Sequence, residues 1–213
     1  MRLYLSSFRM GDRSEQLPRL VGGAKRVAVI ANAMDGDHTA ARSAGVEREV
    51  TALSTLGFRP EELDLRAYFN QPEAVEAVLA DFGLVWLRGG NVFMLRYALH
   101  RAGADEALAR LLHRDALVYA GYSAGPCVLG PTIRGFERTD DPWIVQSIYG
   151  GEPLWTGMGI LDFVVVPHVD SPEHPASAAL SRLAAAYEAD GVPYRALRDG
   201  EVLVIDGPDC SVY

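Results

Sequence analysis

The residues best suited to covalent chemistry lie in residues 116–125, where an apolar run meets the pattern Gly-x-Ser-x-Gly. This pattern is typical of a nucleophile elbow, a tight strand-to-helix turn that presents a serine hydroxyl to solvent. Glycines are needed on both sides because a Cβ atom there would collide with the neighbouring chain. We therefore predict that Ser123 is a nucleophile. Ala124 opens the following helix, so its free N–H can stabilise an oxyanion.

A glycine pair forms a second candidate feature. Gly89 and Gly90 follow an apolar strand pattern over residues 83–87 and precede Asn91 and a helical segment. Glycines at the carboxyl end of a strand let backbone N–H groups approach a ligand closely. The surrounding residues lack the signatures of dinucleotide and phosphate loops. We therefore predict an oxyanion loop with Gly90 as donor, and a plain tight turn is the alternative.

A serine needs a base to remove its proton, and an acid usually orients that base. Of the five histidines in the chain, His168 is distinctive because it ends the apolar run 163–168. We predict His168 as the base, at the end of a strand in the same sheet as the elbow strand. Polar or charged neighbours predict solvated positions for three others, namely His38, His100 and His113.

Two nearby residues allow a different interpretation of His168. Asp170 and His174 follow it closely, so the three side chains could together ligate a metal ion. Their spacing matches none of the usual zinc patterns. We therefore predict neither a metal ion nor another cofactor.

Asp199 is the candidate acid. It lies between two alternating patterns over residues 192–197 and 201–205, which predict a hairpin. The Asp-Gly pair at this position also suits a tight turn, so a purely structural role stays open. An α/β-hydrolase esterase has the order Ser, acid, His, whereas His168 here precedes Asp199. The esterase order would require Asp140 or Asp141 to pair with a histidine.

Alternating strand and helix patterns indicate the fold. Residues 3–5 could form an edge strand. Further strands are predicted over residues 26–31, 62–65, 83–87 and 163–168, and another in the apolar run that leads into the elbow. Helices are predicted over residues 39–56, 72–81, 92–99, 105–113 and 176–189. This alternation predicts a doubly wound α/β fold, with a mostly parallel sheet, helices on both faces and a site at the carboxyl ends of the strands.

Composition narrows the classes of function. With 213 residues, of which 49% are hydrophobic, the chain suits a single domain spanning residues 1–213. A net charge of −8 opposes binding to nucleic acid or to an anionic membrane. Two cysteines are too few for a disulfide framework, and no signal or membrane-spanning pattern occurs. We therefore expect a cytoplasmic protein.

Together these motifs resemble the peptidase E family, the aspartyl dipeptidases, whose fold is similar to class I glutamine amidotransferase domains. The resemblance is carried by residues 89–93, 119–125, 130–134, 167–168 and 197–200. It implies that Ser123 is the nucleophile, His168 the base, and Asp199 the acid at a position where the family can have Glu. It also implies Gly90 and Ala124 as oxyanion donors, with Gly89, Asn91 and Asp141 in supporting or substrate-binding positions.

The chain departs from the family pattern at two places. Arg88 stands where the family often has a third glycine. Residues 176–179 also lack the arginine that the family uses to recognise an amino-terminal aspartate. Because a buried carboxylate needs a cationic partner, we expect hydrolysis without a preference for aspartate.

Three hypotheses follow. The first is a serine exopeptidase, similar to a dipeptidase or aminopeptidase, that cleaves short peptides through an acyl-enzyme. The second is an esterase with the same elbow, and the third is a non-catalytic amidotransferase-like domain that binds a ligand. The family resemblance also suggests a homodimer.

Overall fold

The computed structural model describes residues 1–23 and 25–213. Its strands are Arg2–Ser6 (β1), Arg26–Ile30 (β2), Arg59–Glu62 (β3), Leu84–Leu87 (β4), Val118–Tyr122 (β5), Val164–Val166 (β6), Tyr194–Ala196 (β7), Val202–Asp206 (β8) and Asp209–Val212 (β9). Its α-helices are Gln16–Val21 (α1), Thr39–Thr55 (α2), Pro72–Leu79 (α3), Val92–Ala102 (α4), Ala104–His113 (α5), Ala124–Cys127 (α6), Ile144–Tyr149 (α7) and Ser177–Asp190 (α8). Short 3₁₀ turns cover Asn32–Met34, Leu65–Tyr68 and Phe136–Arg138.

Seven strands form the central sheet in the order β3-β2-β4-β5-β1-β8-β9. The five strands from β3 to β1 are parallel, whereas β8 and β9 are added antiparallel. Leu87 of β4 is in register with Gly121 of β5. The residues after these two strands therefore open onto the same edge of the sheet, the edge where ligands bind in such folds.

Buried side chains alternate between the two faces of the sheet, as the period of a strand requires. In β2, Ala28 and Ile30 belong to one buried cluster, and Val27 and Val29 belong to another. The first cluster includes residues of α3, α4, α5, α6 and α8, and the second includes residues of α1 and α2. The predicted α/β fold, with a mostly parallel sheet and helices on both faces, is therefore confirmed, while its similarity to amidotransferase domains stays a prediction.

The five long helices form where the periodicity predicts them, with ends shifted by at most a few residues. The largest shift is at α4, whose last residue is Ala102. Gly103 caps this end of the helix with φ of 73°. Within the described ranges, no helix is long and apolar enough to cross a lipid bilayer.

The expectation of an edge strand over residues 3–5 is wrong. β1 pairs with β5 on one side and with β8 on the other, and residues 3–5 are fully buried. An apolar run this short does not reveal its position in a sheet, because its partners lie more than 100 residues away in the sequence. As a result, Ser7 at the end of β1 lies next to the elbow, and its carbonyl accepts from Ser123 N–H at 3.2 Å.

The strand predicted over residues 62–65 is wrong beyond its first residue. β3 ends at Glu62, and a 3₁₀ turn begins at Leu65. Asp64 Oδ1 accepts a hydrogen bond from Arg66 N–H at 3.0 Å, and this bond stabilises the turn. Such local side-chain bonds compete with the pairing of a strand.

The predicted hairpin around Asp199 is also wrong. β7 pairs parallel with β6 in a separate two-stranded sheet, whereas β8 joins the central sheet beside β1. His168 therefore follows a strand of the small sheet, and the expectation that it shares a sheet with Ser123 is wrong too. The Asp-Gly signal describes the turn at Asp199 correctly, but it carries no information about which strands pair.

Candidate active site

Ser123 lies in the sharp turn between β5 and α6. Its backbone has φ of 52° and ψ of −109°, a strained combination for a residue other than glycine. A Cβ atom added to Gly121 or Gly125 would lie 2.5 or 2.8 Å from the carbonyl oxygen of Leu87. The two flanking glycines therefore let β5 and α6 pack directly against β4, and the turn has the geometry expected of a nucleophile elbow.

The three side chains proposed for a triad lie within hydrogen-bonding distance of one another. Ser123 Oγ is 3.0 Å from His168 Nε2, and His168 Nδ1 is 2.6 Å from Asp199 Oδ1. Because an ionised carboxylate can only accept, Nδ1 carries the ring proton and Nε2 is free to accept one from the serine. His168 pairs with Asp199, which follows it in the chain, so these three residues do not have the order Ser, acid, His of an esterase.

The surroundings of His168 favour the uncharged form of its ring. The residue is 2% exposed, and burial lowers its pKa below the ordinary value, although the hydrogen bond to Asp199 acts in the opposite direction. The ring of His174 stacks on it, with parallel planes and centroids 3.5 Å apart. A second cationic ring would be repelled at this distance, so a neutral His168 that can act as a base is favoured.

Two buried serines hold the histidine and the acid, and the sequence analysis missed both. Ser7 Oγ donates to Asp199 Oδ1 and accepts from His168 N–H, each at 2.8 Å. Asp199 N–H donates to Ser171 Oγ, also at 2.8 Å. These bonds fix a backbone that is itself strained, since His168 has φ of 59°. A correct position for β1 would have indicated Ser7, because that strand ends beside the elbow.

The glycine pair lies against the nucleophile. A Cβ atom on Gly89 would lie 2.8 Å from Ser123 Cβ, and one on Gly90 would lie 2.6 Å from the carbonyl oxygen of Ala33. Gly90 also has φ of 152°, which side chains rarely adopt. Within the described residues, neither Gly90 N–H nor Ala124 N–H has a hydrogen-bond acceptor. Both groups are therefore available to a developing oxyanion.

Asn91 and Asp141 support the loop and do not enter the cavity beside Ser123. Asn91 Oδ1 caps α4 by accepting from two backbone N–H groups at 3.0 Å, and its Nδ2 donates to the carbonyl of Asp141 at 2.9 Å. The carboxylate of Asp141 is exposed and accepts from Trp143 N–H at 2.9 Å. The geometry thus gives these two residues a structural task, and a role in substrate binding stays a prediction.

Asp140, the neighbouring residue, lines the cavity instead. Its Oδ2 accepts from Val92 N–H at 2.8 Å, and burial raises the pKa of this half-buried carboxyl to about 6. The sequence analysis considered Asp140 only as the acid of an esterase. No pattern in the sequence distinguishes it from Asp141, because the two carboxylates are adjacent in an irregular loop.

The cavity has a volume of about 330 Å³ and carries charges of both signs. Its acidic side is Asp140, and its basic residues are Arg9, Arg48 and Arg88. Ser123, His168 and Gly90 also line it. A small ligand with both an ammonium and a carboxylate group would match this distribution of charge.

The set of metal ligands considered from the sequence does not assemble. Asp170 Oδ2 lies 3.6 Å from Arg198 Nη2, and His174 stacks on His168 with its Nδ1 accepting from Ala176 N–H. In residues 1–23 and 25–213, no group of three His, Cys, Asp or Glu side chains is arranged to hold a metal ion.

Known proteins with similar sequences or folds carry peptidase names. Peptidase E of Streptomyces coelicolor is 33% identical over 135 residues, which are 62% of this chain and 52% of that protein. A Drosophila melanogaster protein named probable alpha-aspartyl dipeptidase is 26% identical over 160 residues, which are 73% of this chain and 61% of that protein. The matches thus span between about half and three fifths of these relatives.

A solved structure from Listeria monocytogenes EGD-e that carries the peptidase E name has the same fold. It superposes with a TM-score of 0.81 at 21% identity, and the match covers 100% of this chain and 97% of that one. Residues 7–213 also match the family described as peptidase family S51. This match takes in the elbow, the glycine pair and the loops of His168 and Asp199, and we conclude that the chain belongs to peptidase family S51.

Proposed function

We propose that the protein is a serine exopeptidase that hydrolyses short peptides. The observation that carries this proposal is the chain of hydrogen bonds from Asp199 through His168 to Ser123, with separations of 2.6 and 3.0 Å. Membership of family S51 and the peptidase names of its relatives support it. A single domain, a cytoplasmic location and a homodimer stay predictions.

The reaction follows from the positions of the groups. His168 Nε2 takes the proton of Ser123 as Oγ attacks the peptide carbonyl, and Asp199 stabilises the imidazolium that forms. The N–H groups of Gly90 and Ala124 donate to the oxyanion. His168 then gives its proton to the leaving amine, and the C–N bond breaks. Water, activated by the same histidine, hydrolyses the acyl-enzyme. None of these steps requires a cofactor.

The cavity favours substrates with a free amino terminus. Asp140 is the acidic residue among the charged side chains of the cavity, and it lies beside the loop of Gly90 because it binds Val92 N–H. In a peptide, the α-ammonium group lies two bonds from the carbonyl carbon of the first residue. The ammonium group would therefore face Asp140 while Ser123 attacks that carbonyl carbon. A volume of about 330 Å³ is at the lower end for ligand pockets, which suits a peptide of two or three residues.

The Drosophila relative is named an alpha-aspartyl dipeptidase, but we do not extend a preference for aspartate to this chain. Residues 176–179 contribute Ala176 to the cavity and no cationic group. The nearest downstream arginine, Arg182, is exposed on α8. We therefore expect Asp-Leu to be hydrolysed no faster than Ala-Leu, as measured by kcat/KM.

Replacement of the nucleophile tests the proposal. Ser123→Ala should reduce the hydrolysis of Ala-Leu to background, a loss of about 10⁵-fold or more, because no other group can form the acyl-enzyme. The fold should persist, since this half-buried side chain contributes little packing. A fluorophosphonate probe should label the unmodified protein at Ser123 and leave the variant unlabelled. Turnover by a correctly folded Ser123→Ala protein at the original rate would overturn the mechanism.

A further inference from the structure

Three arginines, Arg9, Arg48 and Arg88, line the cavity beside Ser123. We propose that Arg9, Arg48 and Arg88 form a subsite for a carboxylate carried by the residue after the scissile bond. This inference rests on the proposed peptidase function and adds to it the chemical group that the substrate must carry beyond the cleaved bond.

Arg88 is held beside the glycine pair. It follows β4 directly, is 8% exposed, and donates from Nη1 to the carbonyl of Gly89 at 2.7 Å. Gly89 in turn packs against Ser123, as the 2.8 Å approach of an added Cβ atom shows. Gly89 therefore contacts both the guanidinium and the nucleophile, and all three residues line the cavity.

The positive charge of this side is only partly neutralised. Arg88 Nε is buried without a hydrogen-bond acceptor among the described residues and lies 3.5 Å from Glu49 Oε1. Arg48 Nε lies 3.8 Å from the same oxygen. Glu49 already accepts from Trp86 Nε1 and Tyr122 Oη, each at 3.0 Å. One carboxylate thus faces two arginines, and a net positive charge is left for a ligand.

The position of the base shows which end of the substrate meets the arginines. His168 gives its proton to the leaving amine, so the second residue of a dipeptide lies on the His168 side of Ser123. The ring of Phe8 is 6.0 Å from the ring of His168, and the guanidinium of Arg9 lies 5.1 Å from the centroid of the Phe8 ring. Asp140, the residue proposed for the α-ammonium group, is held instead by Val92 N–H, next to the loop of Gly90.

An adjoining cavity extends this subsite. It has a volume of about 350 Å³ and shares Phe8, Arg9 and Arg48 with the first cavity. A carboxylate at the junction could therefore be the carboxyl terminus of a dipeptide or an acidic side chain that reaches farther. Arginine binds both in the same way, through parallel N–H donors.

Binding of uncleaved peptides separates these two sources. In the Ser123→Ala protein, isothermal titration calorimetry would compare Ala-Leu, Ala-Leu-amide and Ala-Glu-amide. We expect Ala-Leu to bind about tenfold or more tightly than Ala-Leu-amide, because a charge-assisted hydrogen bond is lost with the carboxylate. Tight binding of Ala-Glu-amide would assign the subsite to acidic side chains as well, whereas weak binding would assign it to the terminus. Equal binding of all three peptides would overturn the proposal.

Variants of the arginines identify the groups responsible. In the Ser123→Ala background, Arg88→Gln should weaken binding of Ala-Leu about tenfold and leave binding of Ala-Leu-amide unchanged. Because Arg88 is buried, Arg48→Gln at an exposed position provides a second test that does not endanger the fold. Arg101→Gln, an exposed change on α4 away from the cavity, is the matched control and should have no effect. If neither cavity variant reduces the discrimination between acid and amide, the subsite is absent.

The same peptides distinguish failure of this subsite from failure of the proposed function. Hydrolysis of Ala-Leu, Ala-Leu-amide and Ala-Glu-amide by the unmodified protein with equal kcat/KM would leave the peptidase and remove the subsite. Absence of hydrolysis, together with selective binding of the acid by Ser123→Ala, would remove the peptidase and leave a carboxylate-binding cavity.

Discussion

The two halves of the site are held in place by different forces. Ser123 and the glycine pair follow β4 and β5, and their positions depend on close packing, with Gly121 and Gly125 against the carbonyl of Leu87. His168 and Asp199 follow the two strands of the small sheet, and hydroxyl groups hold them, chiefly those of Ser7 and Ser171. Removal of a hydroxyl and addition of a methyl group should therefore have different consequences in the two halves.

Close packing extends over the whole central sheet. The hydroxyl network, formed by Ser7 and Ser171 with His168 and Asp199, is confined to a few loops. A collision behind the elbow must move β4 or β5, and both strands belong to the buried core. The loss of one hydrogen bond beside Asp199 disturbs only the loops that it joins. We therefore expect changes in the packed half to lower stability and changes in the hydrogen-bonded half to lower activity while the fold persists.

Among the residues that hold the nucleophile and its base in place, the largest expected effect is in the hydrogen-bonded half. Asp199→Asn should lower kcat/KM for Ala-Leu about 10³-fold, because an amide can hold the wrong tautomer of His168 and cannot stabilise its cation. The free energy of unfolding should change by about 1 kcal/mol or less. Asp209→Asn, at an exposed carboxylate of β9, is the control and should leave both quantities unchanged. A loss of activity below about fivefold would show that Asp199 does not orient the base.

The second effect concerns the packed half. Gly121→Ala would place a methyl group 2.5 Å from the carbonyl oxygen of Leu87, and we expect the free energy of unfolding to fall by about 3 kcal/mol. For a chain of this size, the thermal midpoint would fall by about 6 to 12 °C. Thermal denaturation followed by circular dichroism measures this change.

Gly159→Ala provides the comparison for Gly121→Ala. Gly159 has φ of 65° and no atom within 4 Å of an added Cβ, so this variant carries backbone strain without a collision. A loss of about 1 kcal/mol is expected. If the two variants were equally stable, collision with β4 would not explain the glycine at position 121.

This division also determines what the sequence can predict. The packed half has local signals, since an apolar run followed by Gly-x-Ser-x-Gly specifies both a strand and the turn that ends it. The observed strands of this half, and the edge of the sheet where Gly90 and Ser123 lie, therefore agree with the prediction from the sequence. Packing within the sheet requires apolar residues in the strand and glycines beside Ser123. Because these residues are neighbours in the sequence, they form a pattern that can be recognised.

The hydrogen-bonded half has no comparable local signal. Ser7 and Asp199 are 192 residues apart, and nothing near either one indicates the other. The pairing of β6 with β7 was missed because an Asp-Gly turn suggests a hairpin whatever the flanking strands do later. The apolar run before His168 and the strand patterns around Asp199, together with chain order and family resemblance, predict these two residues, and none of these signals reveals the serines that hold them.

A smaller effect is expected from the hydroxyl network. Ser7→Ala removes the donor to Asp199 and the acceptor for His168 N–H, and we expect kcat/KM for Ala-Leu to fall about tenfold. Because Ser7 acts by positioning the other groups, KM should change little and the fall should be in kcat. Ser6→Ala is the matched control, since the Ser6 hydroxyl is also buried but donates to the carbonyl of Phe8. Equal activities of the two variants would argue against a positioning role.

The smallest effect is a change in the shape of the pH profile. Hydrolysis requires a neutral His168, whose pKa burial lowers, and an ionised Asp140, whose pKa burial raises to about 6. Both groups gain a proton as the pH falls through the acidic range, so log kcat/KM should fall with a slope approaching two. Above this range and up to about pH 7.5, both groups are in their active forms and the rate should be constant, before the ammonium group of the substrate begins to lose its proton.

Asp140→Asn separates the two protonations. The amide cannot titrate, so the acid limb should have a slope of one and report His168 alone, while KM rises because the ammonium group has lost its partner. Measurement of kcat/KM for Ala-Leu from about pH 4.5 to 8 gives both slopes. N-acetyl-Ala-Leu, which has no ammonium group, should be a poor substrate for the unmodified protein and should be affected little by the variant. A slope of one in both proteins would show that Asp140 does not bind the amino terminus, and the cavity would then select peptides through its arginines alone.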